Sequence, residues 1–327
     1  MKILVVDDDP IALELLESCL LEAEFSDTAF VASSRHAEIL IRDPSLHFDC
    51  FLLDISMPTK SGIELCSDIR SVDKYLNTPV LMITSLKNSN SIQRAFAKGA
   101  TDYITKPFEF SEVIARIKFA HRVVLERKAA LESCLQTGSR RANYSRSSPN
   151  AIRRKINAKI NNDNIQFGNT TLLQISVLEN YIQKMTDTEN CCVDVIAIKI
   201  ENIDQLYGEL SVDDFNALVE TFTGAVRTYS TQHQVFFSYI GDGGFVCVGD
   251  QAKFGPPSVA EKGIISYLPP VKGVTPKLNH RAISISVCEP IRLLRSSGPN
   301  FGRLMKVAMA RLEARRSQKA KVLLTVN

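Results

Sequence analysis

Five polar residues in the first third of the chain share one setting. Each closes a short run dominated by apolar residues. Asp7 and Asp8 follow Ile3-Leu-Val-Val6, and Asp54 follows Phe51-Leu-Leu53. Thr84 follows Val80-Leu-Met-Ile83, and Lys106 follows Tyr103-Ile-Thr105. An apolar run that stops at a polar residue is the pattern of a buried strand emerging at a sheet edge. Three carboxylates brought to one edge repel one another unless a hard divalent cation sits between them, and Mg²⁺ suits oxygen ligands. Lys106 adds a mobile positive charge and Thr84 a hydroxyl. Such a set can hold a phosphoryl group, with a carboxylate as nucleophile and the cation, lysine and hydroxyl on its oxygens. A bland reading remains for Asp54, as a carboxylate that merely caps the next helix.

The elements that must position these residues read β-α-β-α-β-α-β-α-β-α over residues 1–120. Alternation at this length means a parallel, doubly wound sheet with helices on both faces. Right-handed crossovers put all strand C-termini on one edge, so the five residues converge there. Asp54 is placed on a βα loop, where open α/β sheets bind ligands. Pro58 cannot extend the strand, and Gly62 supplies a flexible turn before the next helix. Pro10 opens the first helix, with Ile11, Leu15, Cys19 and neighbouring leucines at helical spacing.

These segments carry a resemblance. Val-Val-Asp-Asp, Leu-Asp-Ile-Ser-Met-Pro, Ile-Thr-Ser and Asp-Tyr-Ile-Thr-Lys-Pro-Phe resemble the receiver domain of two-component response regulators, over about residues 1–122. The resemblance implies a flavodoxin-like fold with Asp54 as phospho-acceptor. It implies that Asp7, Asp8, Asp54 and the Ser56 carbonyl hold Mg²⁺. Thr84 would be the switch hydroxyl, Tyr103 the switch aromatic and Lys106 the phosphate-pairing lysine. A histidine kinase or phosphotransfer protein would be the donor. The acyl phosphate would recruit Thr84 and Lys106 and bury Tyr103.

The chain has 327 residues, enough for two domains, and 45% hydrophobic residues, enough for real cores. No apolar stretch reaches eighteen residues, so no membrane span is expected. Met1 enters a strand directly, without a signal-peptide pattern. The eight cysteines include no CxxC pair, and the vicinal Cys191-Cys192 sits near a strand edge. They read as reduced thiols of a cytoplasmic protein. Residues 1–120 hold 12 Lys and Arg against 18 Asp and Glu, a balance of −6, and the remainder is +9. An acidic module joined to a basic one favours two separate jobs.

The division reads 1–122, 123–168 and 169–327. Ser111 can cap a helix whose apolar positions Ile114, Ile117, Val124, Leu131 and Leu135 run past the first module. That helix is either a signalling stalk or dimer seam, or it ends near Arg122. Residues 136–162 hold seven Lys or Arg and no acid, which reads as a flexible linker. With few aromatics there and no helix-turn-helix signal after it, nucleic acid is not expected as a partner.

In the last module, Leu172, Ile175, Leu178, Ile182 and Met185 recur at helical spacing. Val193–Ile200 reads as a central strand and Val212–Tyr229 as a helix burying Phe215, Leu218, Val219, Phe222 and Val226. Val235–Tyr239 and Phe245–Val248 form a hairpin around Gly241-Asp-Gly-Gly244, followed by a strand over Ala282–Val287 and a basic helix over Phe301–Ser317. The order β-α-β-β-β-α after a leading helix is an α+β sheet of the ferredoxin-like type.

The hairpin Tyr239-Ile-Gly-Asp-Gly-Gly-Phe resembles the GGDEF signature of diguanylate cyclases, whose palm fold and two-metal site it would imply. Aligned so, the signature falls on Gly241, Asp242, Gly243, Gly244 and Phe245, and the first metal aspartate on Lys199. Ile-Gly-Asp-Gly and Ala-Arg-Leu-Glu also resemble class III adenylate/guanylate cyclases, where Arg311 would be a transition-state arginine. Two-metal cyclisation needs acids. Lys199, Gly243 and Gly244 stand where acids belong, leaving Glu201 and Asp242. The reading is a degenerate, non-catalytic output domain. The alternative is an active cyclase with unusual ligands, and the glycines also fit a plain primed hairpin turn. A further alternative is an output that binds a nucleotide, a cyclic dinucleotide or a protein effector without chemistry. A homodimer is compatible with each reading.

Overall fold

The computed structural model describes residues 1–85, 89–138, 172–187, 193–209, 212–250, 254–268, 283–293 and 301–325. The linker expected over 136–162 falls almost wholly outside these residues, as does Cys191-Cys192. The chain divides into two compact units, an N-terminal and a C-terminal one.

The first unit runs β1 (Ile3–Val6), α1 (Pro10–Glu22), β2 (Thr28–Val31), α2 (Ser34–Arg42), β3 (Cys50–Asp54) and α3 (Gly62–Arg70). A 3₁₀ turn at Asp73–Tyr75 follows, then β4 (Val80–Thr84), α4 (Ser89–Ala97), β5 (Asp102–Thr105) and α5 (Phe110–Gly138). All strand pairs are parallel, in the order β2-β1-β3-β4-β5. This is the doubly wound, flavodoxin-like arrangement. The strand order reverses between β1 and β3, which opens a crevice at their C-terminal ends. Asp7 and Asp54 stand at that crevice. Every residue of β1, β3 and β4 is buried, which explains their unbroken apolar runs.

Several local expectations need correction. In α1 the buried residues are Ala12, Leu16, Cys19 and Leu20, while Ile11 and Leu15 are 66% and 42% exposed. Cys19 and the leucines Leu16 and Leu20 are buried as expected, whereas Ile11 and Leu15 stand outside the core stripe. Ser111 does not cap α5. The Val113 N–H bonds to the Glu109 carbonyl, so the helix opens earlier. Gly62 is the first residue of α3 rather than a flexible turn. A Cβ there would stand 2.1 Å from the Asp54 carbonyl oxygen. The α5 helix does not stop near Arg122 but continues to Gly138. Past Arg122, Val124 is buried and Lys128 reaches Asp49 at 3.0 Å. Leu131 and Leu135 lie on that helix, with side chains outside the description.

The second unit runs helix Ile175–Asp187, β6 (Val193–Ile200), helices Ile203–Glu209 and Val212–Gln232, then β7 (Phe236–Gly241) and β8 (Gly244–Asp250). Helix Pro257–Ser266, β9 (Ile285–Val287), β10 (Ile291–Leu293) and helix Phe301–Thr325 complete it. The sheet is antiparallel, ordered β10-β6-β8-β7, with β9 also on β6. Helix Pro257–Ser266 and β10 are absent from the order read in the sequence. The helix follows Gly255-Pro256, which reads as loop, yet Pro257 suits a first helical turn. Leu172 is buried in a bridge to Phe237 rather than in the leading helix, and Ile175 is 39% exposed. Leu178, Ile182, Met185, Leu218, Val219, Phe222 and Val226 are buried as expected. The side chain of Phe215 lies outside the description.

Both faces of this sheet are covered. Tyr181 of the leading helix meets Phe236 edge-on, at a centroid distance of 4.8 Å. Phe222 packs on Phe245, which also meets Phe237 and Tyr239. Successive residues of a strand face opposite sides, so Phe236 and Phe237 place the two helices on opposite faces.

Candidate functional site: a carboxylate cluster at the strand ends

Asp7 ends the loop side of β1, and Asp54 is the last residue of β3. Oxygens of Asp7, Asp8 and Asp54 lie within 4.8 Å of one another. Asp7 and Asp54 are buried, and Asp8 is exposed. Lys106, just past β5, reaches Asp7 Oδ2 at 2.7 Å and Asp54 Oδ1 at 2.9 Å. The Ser56 N–H donates to Asp54 Oδ2 at 2.5 Å, and the Asp9 N–H to Asp7 Oδ1 at 3.0 Å. Asp9 itself caps α1, its Oδ1 accepting from the Ile11 N–H at 3.0 Å. An acid directly before a proline at a helix start was a legible sign of that role.

The electrostatics follow from burial. Asp7 is 1% exposed, and burial raises its carboxyl pKa, with only partial relief from the Lys106 and Asp9 hydrogen bonds. Burial opposes the charge of Lys106, but the hydrogen bonds to Asp7 and Asp54 outweigh it and hold its pKa above the ordinary lysine value. Thr84, the last residue of β4, is fully buried, and a hydrogen bond links its side chain to that of Tyr103. Tyr103 is also fully buried. Burial first, and the nearby Asp54 charge second, push its phenol well above the usual range. Lys106 is thus bonded to Asp54, and Tyr103 is buried, in this structure.

The donors are three carboxylates against one ammonium, which leaves the site negative. Hard oxygens of this charge, two of them buried, fit a hard divalent cation such as Mg²⁺. Among the described residues no other group of acids, cysteines or histidines gathers in this way.

The hairpin of the second unit is built differently. Lys199 on β6 stands in register with Gly244 of β8 and Ser286 of β9. Glu201 is not an open ligand. Its Oε2 accepts from Ser284 Oγ at 2.9 Å, and its Oε1 accepts a short bond from Ser286 Oγ. Asp242 and Gly243 occupy the turn with φ of 50° and 68°, both left-handed, as a primed hairpin turn requires. Gly241 pairs with Gly244 across it, and the Gly243 N–H donates to the Tyr239 hydroxyl at 3.2 Å. Arg311 Nη1 donates to the Glu289 and Pro290 carbonyls at 3.2 and 2.7 Å. That contact ties the terminal helix to the loop between β9 and β10. The structure gathers Lys199, Glu201 and the hairpin on neighbouring strands but brings no acid cluster together there.

Comparison with known proteins bears on the first unit. Residues 3–118 match the response regulator receiver domain family. The transcriptional regulatory protein KdpE of Staphylococcus aureus is 36% identical over 123 residues, 37% of this chain and 50% of that protein. The DNA-binding response regulator MtrA of Mycolicibacterium smegmatis is 34% identical over 117 residues, 36% of this chain and 49% of that protein. The chain spans about half the length of the curated relatives it matches. Among solved structures, the BeF3-activated DrrB receiver domain is 29% identical, with a TM-score of 0.33, 37% of this chain and 97% of that one. Vibrio cholerae chemotaxis protein CheY4 is 28% identical, with a TM-score of 0.34, 36% of this chain and 97% of that one.

The N-terminal unit is a response-regulator receiver domain, the phosphorylation-dependent module of two-component signalling. The relatives' names speak of transcription and DNA binding, against the expectation that nucleic acid is no partner of such a protein. Those activities are properties of the relatives, of which only half is matched. No helix among the described residues is long and apolar enough to cross a membrane.

Proposed function

We propose that this protein is a phosphorylation-controlled signalling protein whose receiver unit governs a non-catalytic second unit. The observation that carries the first half is the convergence of Asp7, Asp8 and Asp54 on Lys106 at the β1/β3 crevice. Asp54 is the nucleophile. It ends the central strand, and its Oδ2 is fixed by the Ser56 N–H. Asp7, Asp8, Asp54 and the Ser56 carbonyl would hold Mg²⁺, which would supply neutralisation of the charge on the transferred group. Lys106 pairs with the transferred group while exchanging its bond to Asp54. Thr84, at the end of β4, and Tyr103, on β5, already hydrogen-bonded together, sense that exchange. The donor is a histidine kinase or phosphotransfer protein, and the site of action is the cytoplasm.

The second unit is a degenerate palm domain of the cyclase type, spanning about 169–327 beyond an extension and linker at 123–168. Its antiparallel order, with β6 and β8 central, supports that reading. Lys199 in place of an acid, Glu201 bound to two serines and glycines serving the turn support the absence of catalysis. One cation and few free acids cannot neutralise two divalent ions. Its output is contact with a protein or nucleotide effector. The DNA binding named for KdpE- and MtrA-type relatives is the competing output. The test is incubation of the purified chain with GTP or ATP and Mg²⁺ or Mn²⁺. No cyclic product is expected, with or without a phosphodonor. Robust product lost in Asp242→Ala contradicts the reading.

A further inference from the structure

The loop from β3 to α3 is held in a strained conformation. Thr59 has a φ of 67°, in the left-handed region that a β-branched residue rarely enters. Such a conformation persists only where its surroundings over-determine it. Ile55 and Met57 are buried, while Ser56, Pro58 and Thr59 are exposed. At its start the loop is tied to the nucleophile, since the Ser56 N–H donates to Asp54 Oδ2 at 2.5 Å. At its end the Gly62 N–H donates to the Ile55 carbonyl at 3.1 Å, and Ser61 and Glu64 cap α3 reciprocally.

Between these ties stands Lys60, directly after Thr59. Its N–H donates to the Pro58 carbonyl at 2.8 Å. Its ammonium bridges two helices, donating short bonds to Glu38 of α2 and Asp68 of α3. The bonds to Asp68 and Glu38 hold the Lys60 pKa above the ordinary lysine value, so the bridge stays charged. The three side chains are each 30–33% exposed. Ion pairs this open to water contribute little to stability. The effect of the bridge is therefore on where the loop stands, more than on whether the unit folds.

We propose that Lys60 is a positioning residue of the carboxylate site. Braced between α2 and α3, it keeps Thr59 in its left-handed conformation and so holds Ser56 against Asp54. This role rests on the reading of Asp54 as phospho-acceptor. The Lys60 ammonium is engaged by Glu38 and Asp68 rather than by the cluster, so it acts through the loop. Outer partners that orient the ligands of a cation site typically change affinity or activity about 10–100-fold.

The test is Lys60→Met in the full chain, which removes the charge and keeps a long side chain. Calorimetric titration should show about tenfold weaker Mg²⁺ binding, and intact-mass time courses with a small phosphodonor about tenfold slower phosphorylation. The urea midpoint should stay near the wild-type value. Lys60→Arg keeps the charge and should recover both losses. Glu38→Gln with Asp68→Asn should reproduce them with Lys60 in place. Wild-type Mg²⁺ affinity and phosphorylation rate in Lys60→Met overturn the proposal. A fall in the urea midpoint with Mg²⁺ affinity unchanged overturns it too, since Lys60 then serves only the fold. So does a loss that Lys60→Arg fails to recover. A wild type that binds Mg²⁺ yet takes no phosphoryl group refutes the Asp54 reading, and the Mg²⁺ titrations still decide the role of Lys60. A wild type without Mg²⁺ affinity overturns both.

Discussion

Two sites, one in each unit, place charged side chains at the ends of central strands, and they end in opposite states. At the β1/β3 crevice three carboxylates face one lysine, and only the exposed Asp8 and the edges of two buried aspartates remain for a ligand. At the β6/β8 hairpin a lysine stands among glycines and serines, and the nearby glutamate is bound to hydroxyls. The first site keeps unresolved negative charge, which is costly unless a cation or a reaction uses it. In the second, Glu201 is satisfied by two serine hydroxyls and Asp242 and Gly243 serve the turn, as in a structural hairpin. Residual electrostatic tension, more than the presence of acids, separates a reactive site from a relic.

The comparison breaks first on metal binding. Asp7→Asn with Asp8→Asn should lower Mg²⁺ affinity by at least about a hundredfold, more than loss of an outer-shell partner costs. Calorimetric titration reads it, and Lys199→Asp should leave the wild-type Mg²⁺ affinity unchanged. If the second unit instead supplies the Mg²⁺ signal, the contrast fails.

A smaller effect follows from removing the lysine. Lys106→Met leaves Asp7 and Asp54 buried without their cation and should cost about 3 kcal/mol of first-unit stability near neutral pH. Folding raises the Asp7 pKa, so the folded unit holds that proton more tightly than the unfolded chain. The cost of the Asp7 charge is relieved as pH falls through its folded value. The deficit of Lys106→Met should therefore shrink on acidification. The wild-type contribution of Lys106, whose pKa is raised, persists below the lysine range and fades as pH rises through its folded value. Urea unfolding at several pH values checks both signs.

A still smaller change is Gly62→Ala. Its Cβ would press on the Asp54 carbonyl oxygen, so destabilisation of about 1–3 kcal/mol is expected, together with slower phosphorylation. Gly243→Ala in the second unit strains the turn and crowds the buried Ile200 and Ile203, and it should leave phosphorylation untouched.

Much of the first unit was legible because its buried strands announce themselves as unbroken apolar runs, each ending in one polar residue. Right-handed crossovers then gather those ends. In α1 only Ile11 and Leu15 were misread, because they are apolar yet exposed and periodicity cannot tell a core stripe from its solvent-facing edge. The need for Gly62 was misread because a close approach of backbone to backbone leaves no local mark. The contact of Ser56 N–H with Asp54 and the pairing of Thr84 with Tyr103 depend on loop geometry that no spacing encodes. In the second unit the strand Val193–Ile200 was read to the residue, since five of its eight positions are β-branched. Helix Pro257–Ser266 was lost behind the Gly-Pro-Pro that opens it, and the serines that occupy Glu201 lie more than eighty residues away.

The central claim is that the carboxylate cluster works by accepting a phosphoryl group at Asp54. Intact-mass measurement of the chain after treatment with a small phosphodonor and Mg²⁺ tests it most directly. One added phosphoryl group is expected on the wild type, labile to hydroxylamine as an acyl phosphate is, and none on Asp54→Asn. Undiminished incorporation into Asp54→Asn, or a hydroxylamine-stable adduct on the wild type, would contradict it.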